Sequence, residues 1–188
     1  SSDVCSSDLG DEWALTTPKG TIRAEFVVNA AGYRAAELGR MFGRDVPCVS
    51  LAHQYLITEP IAELTARDQK LPLLRDPDSS YYLRQEKDGL LLGPYEKNCR
   101  AHWLDADDPM PDDFSFQLYN DDLERLEWYI EDACARVPIL GTAGITRVVN
   151  GPIPYTPDGL PLIGPMPGVP NAFEACVFTF GIVQAGGA

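Results

Sequence analysis

Only two histidines, His53 and His102, stand in the 188 residues, and the cysteines Cys5, Cys48, Cys99, Cys134 and Cys176 are scattered without a C-x-x-C pair. A structural zinc site needs clustered Cys and His ligands, so no metal centre is expected. An odd number of widely spaced cysteines in a chain of this length reads as free thiols in a reducing compartment. No apolar run approaches the roughly 20 residues of a membrane span, and no basic amphipathic stretch suggests a membrane surface. Basic side chains are few: 15 Lys and Arg against 28 Asp and Glu leave a net charge of −13. That field repels phosphate backbones, so nucleic acid is not an expected partner. An anionic cofactor stays open, because backbone amides at a helix N-terminus bind one locally. G-x-S-x-G is missing, which disfavours a serine hydrolase. G-x-G-x-x-G, the dinucleotide-binding turn, is missing as well.

The composition, 45% hydrophobic and 23% charged, is that of a soluble globular domain. The two ends read differently from the rest. Residues 1–9, SSDVCSSDL, have no hydrophobic period and no signal-peptide core. The run from Val4 to Leu9 reads as a translated sequencing-library adapter, so residues 1–9 are set aside and the native sequence is expected to begin near Gly10. Gly186-Gly187-Ala188 follows an apolar segment directly, and truncation is expected there too.

Between the ends, strands and helices interleave. Glu12–Thr17 and Thr21–Asn29 read as strands around the turn residues Pro18-Lys19-Gly20. A helix is expected from Tyr33 to Phe42, ended by Gly43, then a strand over Val49–Thr58 and a short helix over Ile61–Arg67. Ser80–Glu86 and Leu90–Gly93 flank Lys87-Asp88-Gly89 as a hairpin. Arg100–Phe116 reads as a long surface loop. Leu123, Leu126, Ile130, Ala133, Cys134 and Val137 recur at helical spacing, with Asp121 and Glu124 as a capping pair and Pro138 as the stop. Ile145–Asn150 reads as a strand, Gly151–Pro170 as a loop, Phe173–Val177 as a buried strand, and Phe178–Ala188 as a Gly-containing turn opening a helix. This order predicts an α/β to α+β fold with a mixed sheet.

Three segments carry chemistry. In Val27-Val28-Asn29-Ala30-Ala31-Gly32 an apolar strand runs through small residues into a helix, which lets backbone approach a flat ligand or its phosphates. In His53-Gln54-Tyr55 and Ser80-Tyr81-Tyr82-Leu83-Arg84, strand alternation puts His53 with Tyr55 on one face. It puts Tyr81 with Leu83, and Tyr82 with Arg84, on opposite faces of the next strand. A histidine facing an aromatic cavity can exchange a proton near neutral pH; a half-buried sheet histidine bonded to a carbonyl is the plainer alternative. The third segment joins a Pro/Gly-locked loop, residues 150–164, to the Gly-rich turn at 178–187, whose amides could donate to a ring carbonyl that gains charge on reduction.

Taken together, VVNAAG, HQYLITEP, SYYLRQ-x-x-DGLLLGPYE, NGPIPYTPDGLPLIGP and FGI-x-x-AGG resemble, in this order, the second half of the catalytic domain of the dimethylglycine/sarcosine dehydrogenase family. That family lies within the D-amino-acid-oxidase-like flavoproteins. The resemblance spans Gly10 to Ala188 and fits the dimethylglycine branch best, on Gln54-Tyr55, Gly93-Pro94-Tyr95-Glu96 and Asn150-Gly151-Pro152.

The resemblance implies part of a Rossmann-like FAD-binding domain over residues 10–44, a mixed-sheet substrate-binding domain over 45–150, and a return to the FAD domain over 151–188. It implies FAD as cofactor, with His53 and Tyr81 as the catalytic pair. Gly32, Arg34, Phe178, Thr179, Phe180, Gly181, Ile182 and Val183 are then the cofactor-binding residues. Arg34 departs from the aromatic residue, often Trp, usual at its position. The implied reaction oxidises a secondary or tertiary N-methyl amine of glycine type, passing a hydride to FAD and leaving an iminium. The substrate carboxylate calls for an arginine, with Arg84 and Arg75 as candidates. A histidine upstream of this chain carries covalent flavin in some members, and a tetrahydrofolate-binding portion would lie downstream. The electron acceptor is left unidentified. The compartment follows as cytoplasmic for a bacterial protein or the mitochondrial matrix for a eukaryotic one. The competing readings are a D-amino-acid or glycine oxidase of the same fold, and a non-catalytic binding module derived from it.

Overall fold

The computed structural model describes residues 6–8, 12–104 and 107–188; Cys5 lies outside the described residues. The chain divides into two compact units. One comprises Ser1–Leu51, Ala101–Ser115 and Ile153–Ala188, the other Ala52–Arg100 and Phe116–Pro152.

In the first unit, strands β1 (Ser6–Asp8), β2 (Trp13–Thr17) and β3 (Gly20–Ala24) form an antiparallel ribbon. The first of these falls in the stretch that the sequence reading set aside, yet Ser6, Ser7 and Asp8 pair with Leu15, Ala14 and Trp13. The single strand expected over Thr21–Asn29 is two. After β3 the chain leaves the ribbon, and β4 (Val27–Asn29) pairs in parallel with β12 (Ala172–Cys176), which pairs antiparallel with β11 (Leu162–Pro165). A single-turn 3-10 segment and helix α1 (Ala35–Met41) follow β4. The helix ends at Gly43 as expected, with φ of +68° and its N–H on the Arg40 carbonyl.

Trp13, Val27, Met166 and Ala172 form one apolar cluster, and Ala35, Val46, Cys176 and Val177 another. Burial pushes the Cys48 thiol up to about 11 and Cys176 to about 12. Cys48, Cys99, Cys134 and Cys176 are all free thiols.

The second unit is built on the sheet β10-β5-β8-β7-β6, with β5 (Val49–Thr58), β6 (Leu74–Asp76), β7 (Tyr81–Glu86), β8 (Gly89–Pro94) and β10 (Ile145–Tyr155). A short helix α2 (Ala62–Thr65) follows β5. Before β6 to β8 return, the start of β5 pairs in the first unit with β9 (Ala101–His102), a strand inside the stretch read as loop. The strand β10 runs five residues past the expected Asn150, through Pro152 and Pro154. Proline removes a ladder donor, which is why this stretch reads as loop, but β10 is an edge strand, where proline is tolerated.

Helix α3 (Leu123–Arg136) packs Leu126 and Ala133 onto Leu56, Leu83, Leu90 and Leu92. Each such leucine contributes roughly 1.5–3 kcal/mol by leaving water. Its cap is Asp122, one residue later than the expected Asp121, with the side chain accepting the Arg125 N–H at 3.3 Å. The shift has a tertiary cause. The Gln54 side chain grips the Asp122 backbone from both sides, accepting its N–H at 2.9 Å and donating to its carbonyl at 3.0 Å.

Candidate active site

Along β5 burial alternates strictly: Ser50, Ala52, Gln54, Leu56 and Thr58 are buried, while His53, Tyr55 and Ile57 are half-buried on the other face. The register carries this alternation across the sheet. Leu56 lies opposite Leu92, and Leu92 opposite Leu83, so all three sit on the face that α3 covers. One step along the same register, Tyr55 falls opposite Gly93, and Gly93 opposite Tyr82. The strand β6 extends this row, because Arg75 pairs with Tyr82. His53, Tyr55, Tyr82, Tyr95 and Arg75 therefore share the face away from α3. Gly93 is required there, since a Cβ on it would come within 2.2 Å of the Tyr82 ring. Without that Cβ the ring lies across β8 and meets Tyr95 at 5.7 Å between centroids.

This geometry separates the expected pair His53 and Tyr81. Tyr81 is 1% exposed and packs among the leucines under α3. Its hydroxyl is buried without a hydrogen bond. Burial first, then the charges of Asp76 and Asp132, push its pKa up, with Arg136 close enough to oppose the rise. The tyrosine on the histidine's face is Tyr82. Its pKa is raised by burial and by Tyr95 and Tyr55 beside it, against the pull of Arg84, so it stays a neutral phenol that can donate. Alternation had already split Tyr81 from Tyr82; only the register to β5 tells which of them meets His53. Because the Tyr81 hydroxyl has no partner in hydrogen-bond geometry and only the Arg136 guanidinium near it, Tyr81→Phe shifts unfolding free energy by less than about 1 kcal/mol, as read by urea denaturation. A larger loss would show that the hydroxyl holds the core.

Beneath His53 lies a polar network that sequence reasoning did not find. Glu96 is 7% exposed. Its Oε1 accepts the Gln54 N–H at 2.9 Å, and its Oε2 accepts Arg125 Nε at 2.9 Å and Nη2 at 2.7 Å. Arg125 Nη2 also donates to the Ala52 carbonyl at 3.0 Å. The network thus ties β5 on both sides of His53 to the first turn of α3. The one signal for it was an acidic residue closing the apolar run Leu90–Tyr95. Burial lowers the His53 pKa, and Arg125 lowers it further, against the upward pull of Glu96. A histidine below its ordinary 6.5 is neutral at neutral pH and can accept a proton.

In the first unit, Asn29 secures the strand–helix junction. Its Nδ2 donates to the Ala35 carbonyl at 3.0 Å and its Oδ1 accepts the Ala31 N–H at 3.3 Å. Gly32 follows with φ of +58° and open space where a side chain would stand. Arg34 is engaged with groups of its own chain. It pairs with Glu37 at 2.7 Å and donates to the carbonyls of Pro111 at 2.9 Å and Phe114 at 3.0 Å. With the Tyr33 hydroxyl on the same Phe114 carbonyl at 3.2 Å, it braces the 109–115 loop. An arginine in place of the usual aromatic residue serves that loop.

The segment Phe178 to Val183 is a turn into a four-residue helix, α4 (Gly181–Gln184), at whose start the Gln184 side chain accepts the Phe180 N–H at 3.4 Å. Thr179 anchors it by donating to the Pro154 carbonyl at 2.8 Å. Phe180, Ile182 and Val183 are 49%, 101% and 86% exposed. A glycine-opened turn with exposed apolar side chains at its rim fits a flat, electron-accepting ring such as that of FAD. Among the described residues no group of His, Cys, Asp or Glu could hold a metal ion, and no helix is long and apolar enough to cross a membrane.

One unit holds a parallel strand pair with a helix after each strand, and the other holds an antiparallel sheet bearing a histidine and tyrosines. Comparison with known proteins makes this specific. The profile of FAD dependent oxidoreductases matches residues 3–188, and the chain belongs to that family. It is 46% identical over 179 residues to dimethylglycine dehydrogenase, mitochondrial, of Rattus norvegicus, covering 93% of this chain and 21% of that protein. It is 38% identical over 174 residues to sarcosine dehydrogenase, mitochondrial, of Mus musculus, covering 93% of this chain and 18% of that protein. The chain thus spans about a fifth of the length of the curated relatives it matches. Among solved structures, L-proline dehydrogenase from P. horikoshii superposes with a TM-score of 0.74 at 24% identity, over 96% of this chain and 45% of that one. That likeness shows the fold.

Proposed function

We propose that the protein to which this chain belongs oxidises an N-methyl amine of glycine type, dimethylglycine in preference to sarcosine. The observation that carries the reading is the shared face of the second unit's sheet, where a histidine held neutral stands with the Tyr82 phenol. FAD, when bound, supplies the acceptor for a hydride. The residues of this chain prepare the amine. A protonated amine has no lone pair to stabilise an iminium, so a proton must leave the nitrogen first, and neutral His53 is the group suited to take it. Tyr82, a neutral donor, orients the substrate by hydrogen bonding. Phe178 to Val183, with Gly32, would hold the flavin through apolar contact and backbone amides. The higher identity to dimethylglycine dehydrogenase than to sarcosine dehydrogenase supports the preferred substrate. Covalent attachment of FAD through an upstream histidine and a downstream tetrahydrofolate-binding portion extend the same proposal to parts of the protein beyond this chain.

The test is a flavin spectrum of the full-length product, followed by anaerobic addition of dimethylglycine. The expected result is a bound-flavin spectrum whose band bleaches on addition. Flavin that does not bleach overturns the substrate assignment, and a protein without flavin overturns the enzyme reading.

A further inference from the structure

The first unit holds a cavity of about 480 Å³, in the size range of small-molecule sites. Helix α1, the first residues of β5 and the chain at and after β9 enclose it. The pairing of β5 with β9 puts Ser50 directly opposite His102. Side chains opposite one another in an antiparallel pair project to the same face, and both of these line the cavity. Ser50 is 4% exposed, yet its hydroxyl makes no hydrogen bond among the described residues. A buried hydroxyl without a partner is a desolvation cost that an entering polar group relieves.

At the mouth stands Arg40, an exposed residue whose guanidinium has neither an ion pair nor a hydrogen bond among the described residues. Glu37, the acidic residue bordering the same cavity, is already taken by Arg34 at 2.7 Å. Between mouth and floor lie two aromatic rings, Tyr33 and Trp103, with centroids 5.8 Å apart. Both are held from behind. The Trp103 N–H donates to Asp108 Oδ2 at 2.8 Å, and the Tyr33 hydroxyl donates to the Phe114 carbonyl at 3.2 Å. Met110 adds a further apolar side. Fixed rings between a cation and an unpartnered hydroxyl select a planar body with an anion at one end and a polar group at the other. A phosphate carries nearly two charges, which one arginine in a chain of net charge −13 does not offset. A carboxylate carries one and matches a single guanidinium fork.

We propose that this cavity is a binding site for a planar aromatic carboxylate bearing a hydroxyl at its far end. Arg40 holds the carboxylate, Tyr33 and Trp103 the ring, and Ser50 beside His102 the hydroxyl. The site makes no use of the groups proposed for amine oxidation, so it stands or falls separately from that reading.

Calorimetric titration of the full-length protein with three probes reads the two polar contacts one at a time. They are 6-hydroxy-2-naphthoate, 2-naphthoate without the hydroxyl, and 2-naphthol without the carboxylate. The first is expected to bind at one site, more tightly than either partial probe. Arg40→Gln lowers the affinity of both carboxylates by about 10- to 100-fold and leaves 2-naphthol within about 3-fold. Arg40→Lys keeps the charge without the fork and falls between. Ser50→Ala lowers the affinity of 6-hydroxy-2-naphthoate by about 3- to 10-fold and leaves 2-naphthoate within about 2-fold. Native-like urea unfolding of these variants assigns the losses to the contacts and not to the fold. No binding of 6-hydroxy-2-naphthoate, equal losses on all three probes, or affinities indifferent to Arg40 and Ser50 overturn the proposal; the last result would put the probe at another site, the flavin's included.

Discussion

Replacing His53 by alanine lowers kcat/KM for amine oxidation by roughly 10²- to 10⁴-fold, the range over which a positioned general base acts. The same change removes the acidic limb of the pH profile. In the native protein burial and Arg125 hold the His53 pKa below its ordinary 6.5. As the proposed base, His53 is then competent at neutral pH, and activity is expected to fall only as the pH drops through that lowered value. The stability contribution has the same sign. The unfolded histidine takes up a proton near 6.5 while the folded one resists, so the folded state is fully favoured above about 6.5 and loses ground as the pH falls below it. His53→Gln, which keeps a hydrogen-bonding side chain without a titrating group, should flatten the acid side of both profiles. Steady-state rates from pH 5 to pH 9 with urea unfolding at the same pH values measure the two together. Unchanged turnover and an unchanged acid limb would return His53 to the plainer role of a sheet histidine.

How much of this could be read from the sequence differs from element to element. The strand β5 and helix α3 are legible because their apolar residues keep a period of two and of three to four, and both appear within a residue or two of their expected ends. The hairpin of β7 and β8 is legible because Lys87-Asp88-Gly89 is turn chemistry, and Lys87 takes φ of +53° there. The extension of β10 is not legible, because prolines at 152 and 154 argue against a strand unless its edge position is known. The break between β3 and β4 is hidden too, since the stretch is uniformly strand-like and only its two separate partners divide it.

The candidate site divides along the same line. His53 and Tyr55 were placed correctly on one face by alternation within a single strand. Choosing between Tyr81 and Tyr82 needed the pairing of β5 with β8 and of β8 with β7, which is long-range information. The loop contacts of Arg34 are illegible for a related reason. Its partners are carbonyls at positions 111 and 114, some eighty residues away and in a loop without periodicity. Long-range polar contacts leave no local pattern, and the Glu96 network is the largest example.

Removing Glu96 tests that network directly. Glu96→Ala withdraws the acceptor of three hydrogen bonds, from Gln54 N and from Arg125 Nε and Nη2. The glutamate side chain is 3% exposed and the arginine side chain 23%. Breaking a buried pair from one side typically costs 3–5 kcal/mol, because the remaining charge stays desolvated. Arg125 can still reach water at one edge, which places the expected loss near the lower end, about 3 kcal/mol. Glu96→Gln keeps the shape and one acceptor and should cost about 1–2 kcal/mol. A paired replacement, Glu96→Leu with Arg125→Met, leaves no buried charge behind and should recover much of the loss. Urea unfolding of the three variants orders them. The same variants also read the coupling to His53: without the Glu96 carboxylate only terms that lower the imidazole pKa remain. The acid limb of the Glu96→Gln enzyme should therefore move to lower pH than in the native protein. A stability loss without that displacement would mean that the network holds the sheet to α3 but does not set the charge of the histidine.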